Sequence, residues 1–251
     1  MKGKKYLPLF ALLLILGLFL GLYYPKQITT AFYIDTLSTM DENPPLNHAS
    51  TPVGTNTNNI NKDNTGNSTG FPAEKTLGAL LADKGVNGPD ARLSISIIKS
   101  KHALNILLDG QAIKTFHVEF GEGGLDKKRV SGDHKTPEGV FYVCEKSILT
   151  PTDYYLGSRW LRLSYPGKED AERGLASDLI DEESYKNIVT AIKEKKTPPQ
   201  RTALGGGIGI HGGGIPEFGE NWTWGCIGLS NEDVEEIYDF IGIGTTVIIK
   251  R

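Results

Sequence analysis

The sequence predicts a mainly β fold with a few helices, an α+β domain, and three observations carry that prediction. Several short runs after Asp90 alternate apolar and polar side chains, the period of half-buried strands. Two longer segments, Asp181 to Lys196 and the stretch after Ser230, repeat apolar residues at helical spacing instead. The 251-residue chain is 39% hydrophobic and 23% charged, as a globular protein is.

In chain order, Pro72 to Lys84 (PAEKTLGALLADK) reads as a short helix whose Leu77, Leu80 and Leu81 share a face, with Gly85 as its stop. Leu93 to Ile98 is a strand rich in Ile and Ser. Leu104 to Leu108 and Ile113 to Phe120 flank Asp109-Gly110, a two-residue hairpin turn. Phe116, Val118 and Phe120 alternate with Thr115, His117 and Glu119, so one face is expected to be buried. Val140 to Cys144 and Thr245 to Ile249 are further strands. Lys168 to Arg173 reads as a solvated charged face. Asp181 is the expected N-cap of a helix that starts with Glu182 and Glu183 and ends in lysines 193, 195 and 196, complementing the helix dipole. Its apolar face is Tyr185, Ile188, Val189 and Ile192. Ser230 with Asp233 resembles a capping box ahead of Val234, Ile237, Tyr238 and Ile241.

The N-terminal quarter differs in kind. Three lysines in Met1 to Lys5 precede Tyr6 to Tyr24, a 19-residue run without a charged side chain. At about 1.5 Å per residue such a helix just spans a hydrocarbon core of about 30 Å. Residues 1–24 are therefore expected to be a signal anchor in a bacterial cytoplasmic membrane, with a cytoplasmic N-terminus and the rest of the chain outside, in the periplasm or at the cell surface. A cleaved signal with a secreted product is the alternative. Residues 25–71, rich in Asn, Thr, Ser, Gly and Pro, read as a flexible polar linker. Residues 72–90 are then a short helix and connector, and 91–251 one globular domain.

With 27 basic against 30 acidic residues, a net charge of -3, the chain lacks the footprint of a nucleic-acid binder. Its two cysteines exclude a disulfide scaffold or a four-cysteine zinc site. No HExxH or CxxC spacing occurs, so no metal and no cofactor is expected. Gly207-x-Gly209-x-x-Gly212 formally matches a dinucleotide fingerprint, but Gly213, Gly214 and Pro216 follow where a helix would have to open.

The chemistry concentrates in Gly205 to Asn231, GGGIGIHGGGIPEFGENWTWGCIGLSN, with one histidine, one cysteine and ten glycines. His211 precedes Cys226 by fifteen residues, the reverse of the order in papain-like proteases. A cysteine attacks carbonyls as its thiolate, and a neighbouring histidine can take its proton. Gly225 leaves the backbone free to present N–H groups to an oxyanion. The bland readings are a buried structural thiol for Cys226, a core position for Cys144, and packing roles for Trp160, Trp222 and Trp224. A Cys144–Cys226 disulfide would silence the nucleophile.

His211-Gly212, then Thr223-Trp224-Gly225-Cys226-Ile227, resembles the catalytic motif of L,D-transpeptidases of the YkuD type. Thr136-Pro137-Glu138-Gly139-Val140-Phe141 is similar to that family's Thr-Pro-x-Gly-x-Phe segment, and the tryptophan-rich stretch before Cys226 looks closest to its YafK-like branch. The resemblance implies a β-sandwich or open-barrel domain, Cys226 as nucleophile and His211 as base. It further implies that the Gly212 carbonyl orients the imidazole and that amides around Gly225 and Cys226 form the oxyanion hole. Trp222, Trp224, His134 and Gly228 would meet substrate. Many members have histidine at the position of Trp224, and arginine or asparagine at that of Gly228. The implied reaction draws a stem peptide of peptidoglycan onto Cys226 as a thioester and passes it to an amine. Transfer to water, by an L,D-carboxypeptidase or a lipoprotein-releasing amidase, is the second reading, and a non-catalytic wall-binding module the third.

Overall fold

Strand β1 (Leu93–Ile98) organises the sheet because Leu93, Ile95 and Ile97 all point inward and are almost wholly buried. The computed structural model to which it belongs describes residues 75–251. The expected anchor over 6–24, the linker over 25–71 and the start of the helix expected at Pro72 lie outside the described residues. Among the described residues no helix is long and apolar enough to cross a membrane.

On one side, β1 pairs antiparallel with β2 (Ala103–Leu108), which turns into β3 (Gln111–His117). The turn is the expected one: Asp109 and Gly110 both have positive φ, 50° and 78°, as a type I′ hairpin requires. On the other side β1 pairs in parallel with β8 (Thr246–Lys250), and β8 pairs antiparallel with β4 (Gly139–Asp153). The chain then continues through β5 (Gly157–Leu163), β6 (Gly209–His211) and β7 (Ile227–Gly228). The eight strands lie in the order β3-β2-β1-β8-β4-β5-β6-β7. Two isolated bridges, Glu119 with Gly228 and Gly121 with Thr223, tie the segment after β3 back to the β7 edge. The sheet thus curls into an open barrel, and the tie falls beside the glycine-rich segment.

Helix α1 (Leu77–Ala82) covers the core with Leu77 and Leu81, and Gly85 follows it with φ 74°. Helix α2 (Lys168–Ala176) corrects the expectation of a solvated charged face. Asp170 and Ala171 are buried, and Asp170 accepts the Gly167 N–H at 3.1 Å. Helix α3 (Glu182–Lys193) has the expected cap, Asp181 accepting from Ser184 N at 2.8 Å. Ile188, Ala171, Ile180 and Leu204 form a small second core between these two helices and the loop before β6. Helix α4 (Asn231–Tyr238) is capped by Ser230, which accepts from Asp233 N at 3.0 Å, and buries Val234, Ile237 and Tyr238.

Candidate active site

Parallel pairing of β6 with β7 sets Ile210 beside Ile227 and His211 beside Gly228. Side chains alternate along a strand, so His211 and Cys226, the residue just ahead of β7, project from the same face. Cys226 is 8% exposed and His211 fully buried. The imidazole lies between Trp160, stacked at 5.7 Å and 28°, and Tyr155 at 5.8 Å, with Trp222 edge-on at 5.5 Å.

His211 Nδ1 lies 2.7 Å from the Gly212 carbonyl. A carbonyl only accepts, so Nδ1 carries the proton and the lone pair of the neutral ring sits on Nε2. Nε2 is buried without a hydrogen-bond partner among the described residues. The Cys226 thiol is turned instead to the Gly207 carbonyl at 3.4 Å. Thiol and imidazole share a face without being bonded to each other, and such bonds commonly tighten only when substrate arrives.

Burial pushes the Cys226 thiol up to about 11, opposed by hydrogen bonding from the Gly209 backbone and by the positive charge of Arg162 and Lys128. Burial likewise pushes His211 down to about 4. Both groups therefore rest in their neutral forms. Alkylation of Cys226 by iodoacetamide is accordingly expected to accelerate steadily with pH from 7 to beyond 9. Peptide mapping separates it from buried Cys144; a plateau reached near pH 7 would reveal a preformed thiolate–imidazolium pair instead.

The backbone around the thiol is pinned by threonines. Thr223 Oγ1 donates to the Cys226 carbonyl at 2.8 Å and accepts the Gly225 N–H at 3.2 Å. Thr136 Oγ1 donates to the same carbonyl at 3.3 Å and accepts from Gly121 N at 3.0 Å. The Gly225 amide expected to serve an oxyanion is therefore occupied by Thr223, and the Trp224 amide donates to Tyr155 Oη at 2.9 Å. That leaves the Cys226 amide as the candidate donor. Gly225 has φ 120°, a conformation other residues rarely adopt.

The remaining expected site residues gather in the same place. Trp224 lies 5.2 Å from Tyr155 and 6.1 Å from His134, whose Nδ1 reaches Glu122 Oε1 at 2.5 Å. Trp222 packs on Gly228 so closely that a Cβ there would stand 2.6 Å from the indole. The indole thus fills the space into which a side chain at position 228 would project. Cys144 and Cys226 are both free thiols.

Four contributors have no site role in the sequence reading. Tyr155 lies in the β4–β5 turn, where its contacts to His211, Trp222 and Trp224 are all long-range. Trp160 is reached only through the β5–β6 pairing with His211. Thr136 belongs to the Thr-Pro-x-Gly-x-Phe segment, which by itself assigns its hydroxyl no partner. Asn231, the first residue of α4, accepts from Ser158 N at 2.9 Å and Gly213 N at 3.2 Å, holding the backbone next to Gly212. Replacing Asn231 by Ala leaves both donors short of a partner and should cost about 1–3 kcal/mol in urea denaturation.

Residues 92–249 match the family model described as the YkuD, L,D-transpeptidase catalytic domain. No curated protein matches the chain. Among solved structures, Bdellovibrio bacteriovorus Bd1075 is similar at 22% identity and TM-score 0.41, covering 64% of this chain and 48% of that one. The K307A mutant of the helical cell shape determining protein Pgp2 from Campylobacter jejuni is similar at 23% and 0.44, covering 68% and 53%. Residues 123–326 of the L,D-transpeptidase from Xylanimonas cellulosilytica are similar at 18% and 0.38, covering 68% of each chain. The chain spans about half the length of the first two.

Proposed function

The chain belongs to the YkuD family of L,D-transpeptidase catalytic domains, and on that premise we propose that it is a cysteine-dependent peptidoglycan L,D-transpeptidase. The observation that carries this reading is the fixed tautomer of His211, with its proton-free Nε2 buried on the face it shares with Cys226. In the proposed reaction Nε2 takes the thiol proton as Sγ attacks the carbonyl of the L,D bond in a stem peptide. The developing oxyanion faces the Cys226 amide. The C–N bond breaks, the terminal D-residue leaves as an amine that receives the proton from His211, and the acyl group stays on Cys226 as a thioester. An amine acceptor then attacks the thioester, His211 takes its proton, and the thiol is restored. The free energy of the old amide is retained, so no ATP is needed. That suits a location outside the cytoplasmic membrane, which the apolar run at 6–24 supports as part of the same proposal.

Incubation of tetrapeptide-bearing muropeptides with and without an amine acceptor, with products weighed by mass spectrometry, tests the reading. Transpeptidation gives a dimer only when acceptor is present, and the Cys226→Ala protein gives none. Loss of the terminal D-residue without any dimer would assign the site to hydrolysis, and no reaction under either condition would leave only wall binding.

A further inference from the structure

We infer that the protein holds a divalent transition-metal ion, zinc in the first instance, on His102, His117 and Glu119, three residues other than the His211–Cys226 pair. These three residues come from the open end of the β2–β3 hairpin. Pairing of Ala103 with His117 brings His102, the residue just ahead of Ala103, beside His117. The rings lie parallel at 5.8 Å and 13°, and one ligand atom from each of the three residues falls within 4.8 Å of the other two. His117 Nε2 is 2.7 Å from Glu119 Oε1, and His102 Nδ1 is 3.2 Å from Glu119 Oε2. Tetrahedral zinc with bonds of about 2.0–2.1 Å sets its ligand atoms about 3.3 Å apart, against 2.7 and 3.2 Å for the two histidine contacts to Glu119 here.

The donor set favours zinc over calcium or magnesium, which prefer oxygen ligands throughout. Each imidazole binds as its neutral form, the N–H moving to the ring nitrogen that faces away from the ion. Three protein ligands leave a position for water. Glu119 already has the supporting contact that oriented metal ligands require, since its Oε2 accepts the Asn221 N–H at 2.8 Å. His102 Nδ1 also faces the Val118 carbonyl at 3.1 Å, a bond that coordination through this atom must give up.

The position of Glu119 gives the site a consequence. Its side chain holds Asn221, and its backbone exchanges 2.9 Å hydrogen bonds with Gly228. The two ends of the segment that carries Cys226 are thus fastened to one residue, and an ion on Glu119 would fix the anchor of that segment. The sequence pattern concealed the site because His102 lies fifteen residues ahead of His117 and joins it only through the hairpin register.

The test uses protein without a polyhistidine tag, in the wild-type and Cys226→Ala forms, so that zinc on the nucleophile is told apart. Equilibrium dialysis should find one zinc per chain in both forms. Zinc at about a hundredfold excess over its dissociation constant should raise Tm by about 5–10 °C, whereas magnesium should not. His117 is exposed, so His117→Ala folds normally and should lose both the bound zinc and the shift. The inference is overturned if wild type binds no zinc, or if His117→Ala retains the same stoichiometry and shift.

Discussion

A His211→Gln protein is expected to fold and to form the Cys226 thioester about 10²–10⁴-fold more slowly than wild type, the range a general base contributes. Glutamine keeps a donor for the Gly212 carbonyl but offers no lone pair of comparable basicity at the position of Nε2. The loss should appear in the rate of acylation with little change in donor binding. A second signature separates this from a structural effect. His211 is held down to about 4 in the folded protein by burial, against about 6.5 when unfolded. Between these values the unfolded chain binds more protons, so stability is unimpaired above pH 6.5 and falls as pH drops toward 4, by up to about 3 kcal/mol. In His211→Gln that acid-side loss should shrink, while the activity defect persists at every pH. Urea midpoints at pH 4.5 and 7.5 measure it. Full acylation rates in His211→Gln would remove the base from this account.

Gly157→Ala should cost about 3–5 kcal/mol and take the site with it. Gly157 begins β5 with φ 69°, and an added Cβ would lie 2.2 Å from Gly213 N, 2.3 Å from Asn231 Oδ1 and 2.5 Å from Gly212 C. None of these can move alone, because Asn231 grips Ser158 and Gly213, and the Gly212 carbonyl orients His211. The overlap therefore propagates to the imidazole. Gly85→Ala is the control, since φ there is 74° but no atom of the described residues lies within 4 Å of the new Cβ. It should lose about 1–2 kcal/mol, the cost of positive φ alone. Equal destabilisation by the two substitutions, read from urea midpoints, would show that backbone conformation and not close packing fixes this corner.

Legibility in the sequence follows burial on one face or two. Strands β1, β2 and β3 alternate because one face meets the core, and the Asp109-Gly110 turn sits where it had to. Strand β5, GSRWLRL, shows no alternation because both faces are covered. Arg162, only 7% exposed, is accommodated by Glu145 Oε2 at 2.7 Å and Gln200 Oε1 at 3.0 Å, partners that no local pattern announces. Strand β4 runs to Asp153, well beyond the expected Cys144, through a stretch whose Pro151 reads as a break. Strands β6 and β7 are too short, three and two residues, to carry a period. Helix α2 hid because its buried Asp170 looks solvated and is satisfied by its own N-terminus and by Arg173.

The candidate site divides in the same way. His211, Gly212, Gly225 and Cys226 announced themselves through glycine density and residue chemistry. Tyr155, Trp160 and Asn231 did not, since each acts across the barrel on a partner at least fifty residues away in sequence or through strand pairing. The occupied Gly225 amide was equally invisible, because it depends on where the Thr223 hydroxyl points.

The central claim is that Cys226 carries an acyl group between donor and acceptor. Intact-protein mass spectrometry after mixing with a tetrapeptide donor, without acceptor, tests it most directly. The account predicts a gain equal to the donor mass less that of the free D-amino acid released, located on Cys226, reversed by hydroxylamine and lost in Cys226→Ala. Turnover of the donor by the wild-type protein with an undiminished rate in Cys226→Ala, and with no adduct at that residue, would contradict it.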